Sequence, residues 1–111
     1  MNETDYSWQD DVDRILSSLP DGTWTSYGEL GKAVGRGPRQ IARYLTHDIV
    51  HNAYRVLRSD GRVSDGFHWG NPDSPPVHDV LRDAGVRFSK SLKADPMQKL
   101  DSVDLAELLG E

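Results

Sequence analysis

Thr25-Ser26-Tyr27-Gly28-Glu29-Leu30-Gly31-Lys32-Ala33-Val34-Gly35-Arg36-Gly37-Pro38-Arg39-Gln40-Ile41-Ala42-Arg43-Tyr44-Leu45-Thr46-His47 is the stretch that decides the fold, and its reading carries on through Asp65. Ser26 and Glu29 form a Ser-x-x-Glu capping box: the hydroxyl takes the N–H three residues on, and the carboxylate reaches back to the Ser26 N–H. The spacing predicts a short helix that buries Leu30, Ala33 and Val34 and stops at Gly35. Pro38 suits the first position of a second helix, Pro38 to His47, with Ile41, Tyr44 and Leu45 on its apolar face. Arg39, Arg43 and either Thr46 or His47 fall on the opposite face. Helix, glycine-containing turn and a helix with outward arginines predict a helix-turn-helix whose second helix enters a DNA groove.

Downstream, a loop from Asp48 to Asn52 leads into Ala53–Arg58, where Ser59-Asp60-Gly61 is a turn signal. Arg62-Val63-Ser64 is expected to pair back as a short β-hairpin, giving a mainly α, winged-helix-like domain. Gly66 to Pro76 is read as a loop carrying Phe67, His68 and Trp69, either a cover for the core or part of a base pocket. Upstream, Ser7 is placed as the cap of a helix burying Val12, Ile15, Leu16 and Leu19, with Trp24 in the core. Ser74 is expected to cap a helix through Val77, Val80, Leu81 and Ala84, stopped by Gly85. Residues 7–88 make up the domain on this reading. Residues 89–111 form a polar tail in which Ser102 caps a short helix, and the tail is either a terminal clamp or a docking segment.

With 111 residues the chain is one domain with one modest core. No apolar run reaches the length of a membrane span, the acidic N-terminus is unlike a targeting peptide, and a cytoplasmic location is expected. Net charge is −5, but it is unevenly spread. Residues 24–68 hold seven Lys/Arg against four acids, while acids outnumber bases on both flanks. That places the basic surface on the helix-turn-helix and keeps nonspecific DNA binding weak. There is no cysteine, which removes disulfides, thiolate metal sites and a cysteine nucleophile together. His47 and His51 are better read as surface residues than as metal ligands, and neither metal nor cofactor is expected.

Thr25–Leu30, Ala33-Val34-Gly35, Pro38-Arg39-Gln40-Ile41, Arg55-Val56, Ser59-Asp60-Gly61 and Val80–Val86 together resemble the DNA-binding domain of O6-alkylguanine-DNA alkyltransferases. The resemblance covers roughly Trp8 to Phe88. In that family a Pro-Cys-His-Arg-Val motif holds the nucleophile; the matching segment here is Asn52-Ala53-Tyr54-Arg55-Val56, with Ala53 in the cysteine's place. A methyl group cannot attack carbon, so the resemblance points to the alkyltransferase-like proteins, non-enzymatic relatives. These are implied to bind and flip O6-alkylguanine in duplex DNA and to flag it for nucleotide excision repair proteins.

By the same resemblance Arg39 enters the base stack as a finger, the alternative being a phosphate contact. Tyr27 presses on the flanking phosphate, the alternative being a core tyrosine at a helix start. Arg36, Gln40 and Arg43 complete the DNA-binding set, and Tyr27, Ala53, Tyr54, Arg55 and Ser64 form the lesion pocket. Asn52 for the proline, Tyr54 for the histidine and Ala84 for a glutamate depart from the family pattern. A monomer is expected. The alternatives are a helix-turn-helix regulator that reads base sequence, and a protein-interaction module that has kept the fold.

Overall fold

The computed structural model describes residues 8–47, 50–63 and 76–109. Its elements are α1 (Trp8–Ser17), β1 (Thr25–Ser26), α2 (Tyr27–Val34), α3 (Pro38–His47), a 3-10 turn (Ala53–Arg55), β2 (Val56–Leu57), α4 (Val77–Asp83), a second 3-10 turn (Pro96–Gln98) and α5 (Ser102–Leu108).

Helix α2 begins as the sequence dictates: Ser26 is its N-cap, and the Glu29 N–H donates to Ser26 Oγ at 3.2 Å. The reciprocal half of the expected capping box is absent. Glu29 Oε1 instead accepts from the Ser102 N–H at 2.8 Å, so this carboxylate caps the start of α5, 73 positions away in the chain. At the other end Gly35 sits at φ 76°, a left-handed conformation that a Cβ would strain. The Arg36 N–H closes back on the Gly31 carbonyl at 2.8 Å. A Cβ on Gly31 would run into the Arg36 carbonyl, so this glycine is what lets the turn fold against α2. Ile41 is fully buried and anchors α3 on α2.

The core has two clusters. The first joins Val12, Ile15 and Leu16 of α1, Leu30 and Val34 of α2, Ile41 of α3, Val56 and Leu105. The second joins Trp24, Leu57, Leu81, Val86 and Ala94. Alternating side chains of one strand reach both, Val56 on one face and Leu57 on the other. Each such side chain contributes about 1.5–3 kcal/mol on burial.

The expected hairpin is corrected. The turn is there, with the Arg58 N–H donating to the Arg62 carbonyl at 2.9 Å. The strand before it, however, pairs in parallel with β1, Thr25 opposite Val56 and Ser26 opposite Leu57. Pairing there sets Leu57 beside Trp24 in the second cluster, a burial that a solvent-side hairpin would forgo. Ser64, the end of the expected hairpin, lies outside the described residues, as do Ser7, Ser74 and the aromatic loop Phe67–Trp69.

Helix α4 is preceded by Pro76 and ends with Gly85 at φ 98°. The Val86 N–H reaches the Leu81 carbonyl and the Gly85 N–H the Arg82 carbonyl, the two bonds of a Schellman ending. The segment after Phe88 is a clamp. Lys99 bridges to Trp24, the Leu100 N–H donates to the Trp24 carbonyl at 2.8 Å, and Trp24 Nε1 donates to the Asp95 carbonyl at 2.8 Å. Leu105 is fully buried in the first cluster. Asp101, not Ser102, caps α5, in a reciprocal box with Asp104. An aspartate outcompetes the neighbouring serine because its carboxylate makes a charge-assisted bond to a helix N-terminus.

Candidate nucleic-acid interface

Helix α3 presents its polar side to solvent. Arg39, Gln40, Arg43 and Thr46 are exposed, as is Arg36 in the turn before it. Among the described residues neither Arg39 nor Arg43 is held in an ion pair, so both guanidinium groups are available to phosphates or bases. Arg36 lies 6.0 Å above the Trp8 ring, and Gln40 uses its carbonyl oxygen to accept from the Gly37 N–H at 3.3 Å. Tyr44 on the inner side faces Trp8 edge-on at 5.6 Å and donates to Asp13 Oδ1 at 2.8 Å. These contacts fix the rotation of α3 on α1 and hold its arginine face outward.

Tyr27, the first residue of α2, is half-buried against the first cluster. Ala53, Tyr54 and Arg55 form the 3-10 turn that feeds β2, with Tyr54 packed on the second cluster. Because the ladder is parallel, Tyr27 leaves β1 at one end while Ala53–Arg55 enter β2 at the other, only two residue pairs apart. The fold thus brings these four candidates around one short ladder. Ser64, the fifth candidate pocket residue, lies outside the described residues, as does the side chain of His47.

Arg55 is turned inward and is 4% exposed. Its Nε donates to the Thr23 carbonyl at 3.0 Å, and its Nη2 to the carbonyls of Pro20 and Thr23 and to Thr23 Oγ1. Burial lowers its pKa, opposed by the nearby Tyr54 and Asp21, yet a guanidinium keeps its proton. Its work is to tie the α1–β1 turn to the strand that follows Ala53.

Asn52 is the residue that sequence reasoning underrated. Its φ of 64° places it in the left-handed region, where proline cannot go. Its amide also donates to the Leu16 carbonyl at 2.8 Å. Asn52 thus sets how the chain enters the Ala53 turn. The only signal in the sequence was the tolerance of asparagine for this conformation.

Residues 7–75 match the family described as 6-O-methylguanine DNA methyltransferase, DNA binding domain. The chain belongs to this family. It is a member without the cysteine nucleophile, since no cysteine occurs in its sequence. Among solved structures it is similar to Atl1 of S. pombe, in a complex with damaged DNA containing O6-carboxymethylguanine. That likeness has a TM-score of 0.56 at 18% identity, over 91% of this chain and 99% of the other, and it supports the helix-turn-helix fold. No match is found among curated proteins.

Proposed function

We propose that this protein is a non-catalytic sensor of O6-alkylguanine in duplex DNA. The observation that carries the reading is Arg39, exposed near the start of α3 and unengaged by any carboxylate among the described residues, in a family whose DNA-binding domain it shares. On this proposal α3 lies against the duplex, Arg36 and Arg43 hold phosphates, and Arg39 fills the gap left by the flipped nucleotide. Extruding a base costs a few kcal/mol, least where alkylation has already damaged its pairing, and an inserted side chain offsets part of that cost. Tyr27 presses on the adjacent phosphate. Ala53 and Tyr54 floor the pocket, where the loss of a sulfur leaves room for larger alkyl groups.

Alkyl transfer to cysteine needs a thiolate, and Ala53 offers a methyl. Recognition without repair calls for a second step, so the bound monomer would mark the lesion in the cytoplasm for nucleotide excision repair proteins. The complex of Atl1 with damaged DNA containing O6-carboxymethylguanine supports the choice of ligand.

The test is a binding titration with two duplexes that differ only in O6-methylguanine or guanine. Wild type should prefer the lesion, and Arg39→Ala should lose about 10- to 100-fold of lesion affinity, the order of the unstacking energy it offsets. Equal, weak binding to both duplexes would replace the sensor with a sequence reader. Binding to neither at low salt would leave a protein-interaction module.

A further inference from the structure

Arg58, Arg62, Val63, His78, Ser91 and Leu92 line a cleft of about 190 Å³ that includes no residue of α3. That volume is below the range of about 300–1,000 Å³ in which small-molecule sites fall, so the cleft suits a single small charged group. Its charge is positive. Arg58 Nη2 and Arg62 Nε lie 3.3 and 3.9 Å from the same oxygen of Asp60, and Lys93 is close enough to favour the ionised form of that carboxyl. Two guanidinium groups thus share one carboxylate oxygen, and Lys93 adds a weaker positive field. Asp60 is itself pinned, because its Oδ1 accepts from the Arg62 N–H at 3.0 Å. Both guanidinium groups are about half exposed, and their pairing with Asp60 is of the weak surface kind that a phosphate can share.

The walls are built. The Arg58–Arg62 turn is locked to the Ser89–Lys93 turn, since the Ala94 N–H donates to the Gly61 carbonyl at 2.9 Å and Gly61 abuts the Ala94 backbone. At the tip of the second turn Leu92 is held at φ 63°, an unfavourable conformation for a bulky side chain, which sets Leu92 and Ser91 on the rim. Position supports a DNA role as well. In the parallel ladder β1 runs out into Tyr27 and β2 runs out into Arg58 at the same end. The cleft therefore starts where α2 starts. His78, Ser91 and Leu92 lie beyond residues 7–75, so one side of the cleft comes from a segment outside the family match.

We propose that this cleft holds a backbone phosphate of the same duplex that α3 engages, extending the footprint past the recognition helix. The inference rests on the DNA-binding reading above. Arg58 and Arg62 would give the phosphate planar, multiply donating partners, with Ser91 at the rim. Such a contact positions the protein without reading the base.

The experiment measures affinity for the guanine and O6-methylguanine duplexes across 50–200 mM salt for wild type, Arg58→Gln/Arg62→Gln and Ser91→Asp. Every phosphate that the protein ceases to neutralise lowers the log–log salt slope by about 0.9, so the double variant, which gives up one phosphate, should be shallower by roughly 1 and bind both duplexes about 10-fold more weakly at low salt. The lesion-to-guanine ratio should not change. Ser91→Asp sets a carboxylate on the rim and leaves the Asp60 pairs intact; it carries the test should the double variant melt early. It should weaken both duplexes about 3- to 10-fold. Wild-type slope and affinity in both variants would overturn the proposal while leaving the sensor reading standing, and would turn the cleft toward an acidic protein segment. Failure of wild type to bind either duplex would overturn both, a result distinct from the first.

Discussion

The helix-turn-helix region and the cluster around Trp24 are two halves of one core built by opposite means. In the first, α1, α2 and α3 follow each other with short connections and bury neighbours in sequence, Val12 to Ile41, before Val56 and Leu105 join them. In the second, Trp24, Leu57, Leu81, Val86 and Ala94 come from separate segments between β1 and the C-terminal clamp. There side chains bonded to backbone tie the chain in addition to the apolar packing. Trp24 Nε1 reaches the Asp95 carbonyl, Gln98 takes the Arg87 N–H and gives to the Gly85 carbonyl, and Thr25 Oγ1 reaches the Leu100 carbonyl. The recognition face can thus form from local signals, whereas its placement beside Ala53–Arg55 depends on long-range joints that meet at the two-residue ladder.

The largest effect is expected where the halves meet. Trp24 is 1% exposed and continuous with β1, so Trp24→Ala should cost about 3–5 kcal/mol. That is a large part of the roughly 5–15 kcal/mol that holds a domain of this kind. Because β1 leads directly into α2, both halves should melt in one transition. Thermal unfolding followed by far- and near-ultraviolet circular dichroism checks this. Two separated transitions would show that the halves are independent.

The same contrast explains what could be read in the sequence. Ser26, Gly35, Pro38 and Ile41 act within a turn or two of their own position, and the helix-turn-helix is legible from them. The exposed pair Arg39 and Arg43 follows from helical spacing alone. A two-residue ladder has no periodicity to read, so the parallel pairing of Val56 with Thr25 was invisible and a hairpin was the natural expectation. Glu29 satisfied a local rule and yet served a distant helix, because the Ser102 N–H competes for the same carboxylate. The clamp looked like a plain polar tail because its polar residues bond to backbone. At the candidate site, the positions of Ala53, Tyr54 and Arg55 came from resemblance, and the inward turn of Arg55 onto the Pro20 and Thr23 carbonyls had no local signal.

Glu29 offers a finer probe, since its side chain caps α5 from within the recognition unit. Replacing it with alanine removes the acceptor of the Ser102 N–H and the negative charge in the first turn of α2. A loss of about 1 kcal/mol is expected, the size of a cap with its dipole contribution. Glu29→Gln should recover part of it, because an amide oxygen still accepts. Chemical denaturation with an unchanged m-value measures both. An effect below a few tenths of a kcal/mol would mean that the Asp101–Asp104 box suffices to start α5.

The smallest expected effect is an acid sensitivity lodged in the part of the chain after β2. Asp60, Asp95 and Asp101 are held below the ordinary carboxylate range, first by the N–H groups of Arg62, Met97 and Asp104 respectively. Arg87 adds to the effect on Asp95, from 2.9 Å. A native carboxyl with a lowered pKa binds its proton less readily than the unfolded chain does, where aspartate titrates near about 3.9. Its stabilisation is therefore full above that value and is lost as pH falls through the native one. Asp95→Asn/Asp101→Asn keeps an oxygen acceptor at both caps and removes the titration. Wild type should melt higher than this variant at pH 7, and the gap should close as the pH drops below about 4. Asp60 and Asp101 are solvent-exposed and Asp95 is partly exposed, so the gap should be small and should narrow in high salt. A gap that ignored pH would mean that the two caps act through hydrogen-bond geometry and not through charge, and the C-terminal clamp would then resemble the recognition unit more closely than its carboxylates suggest.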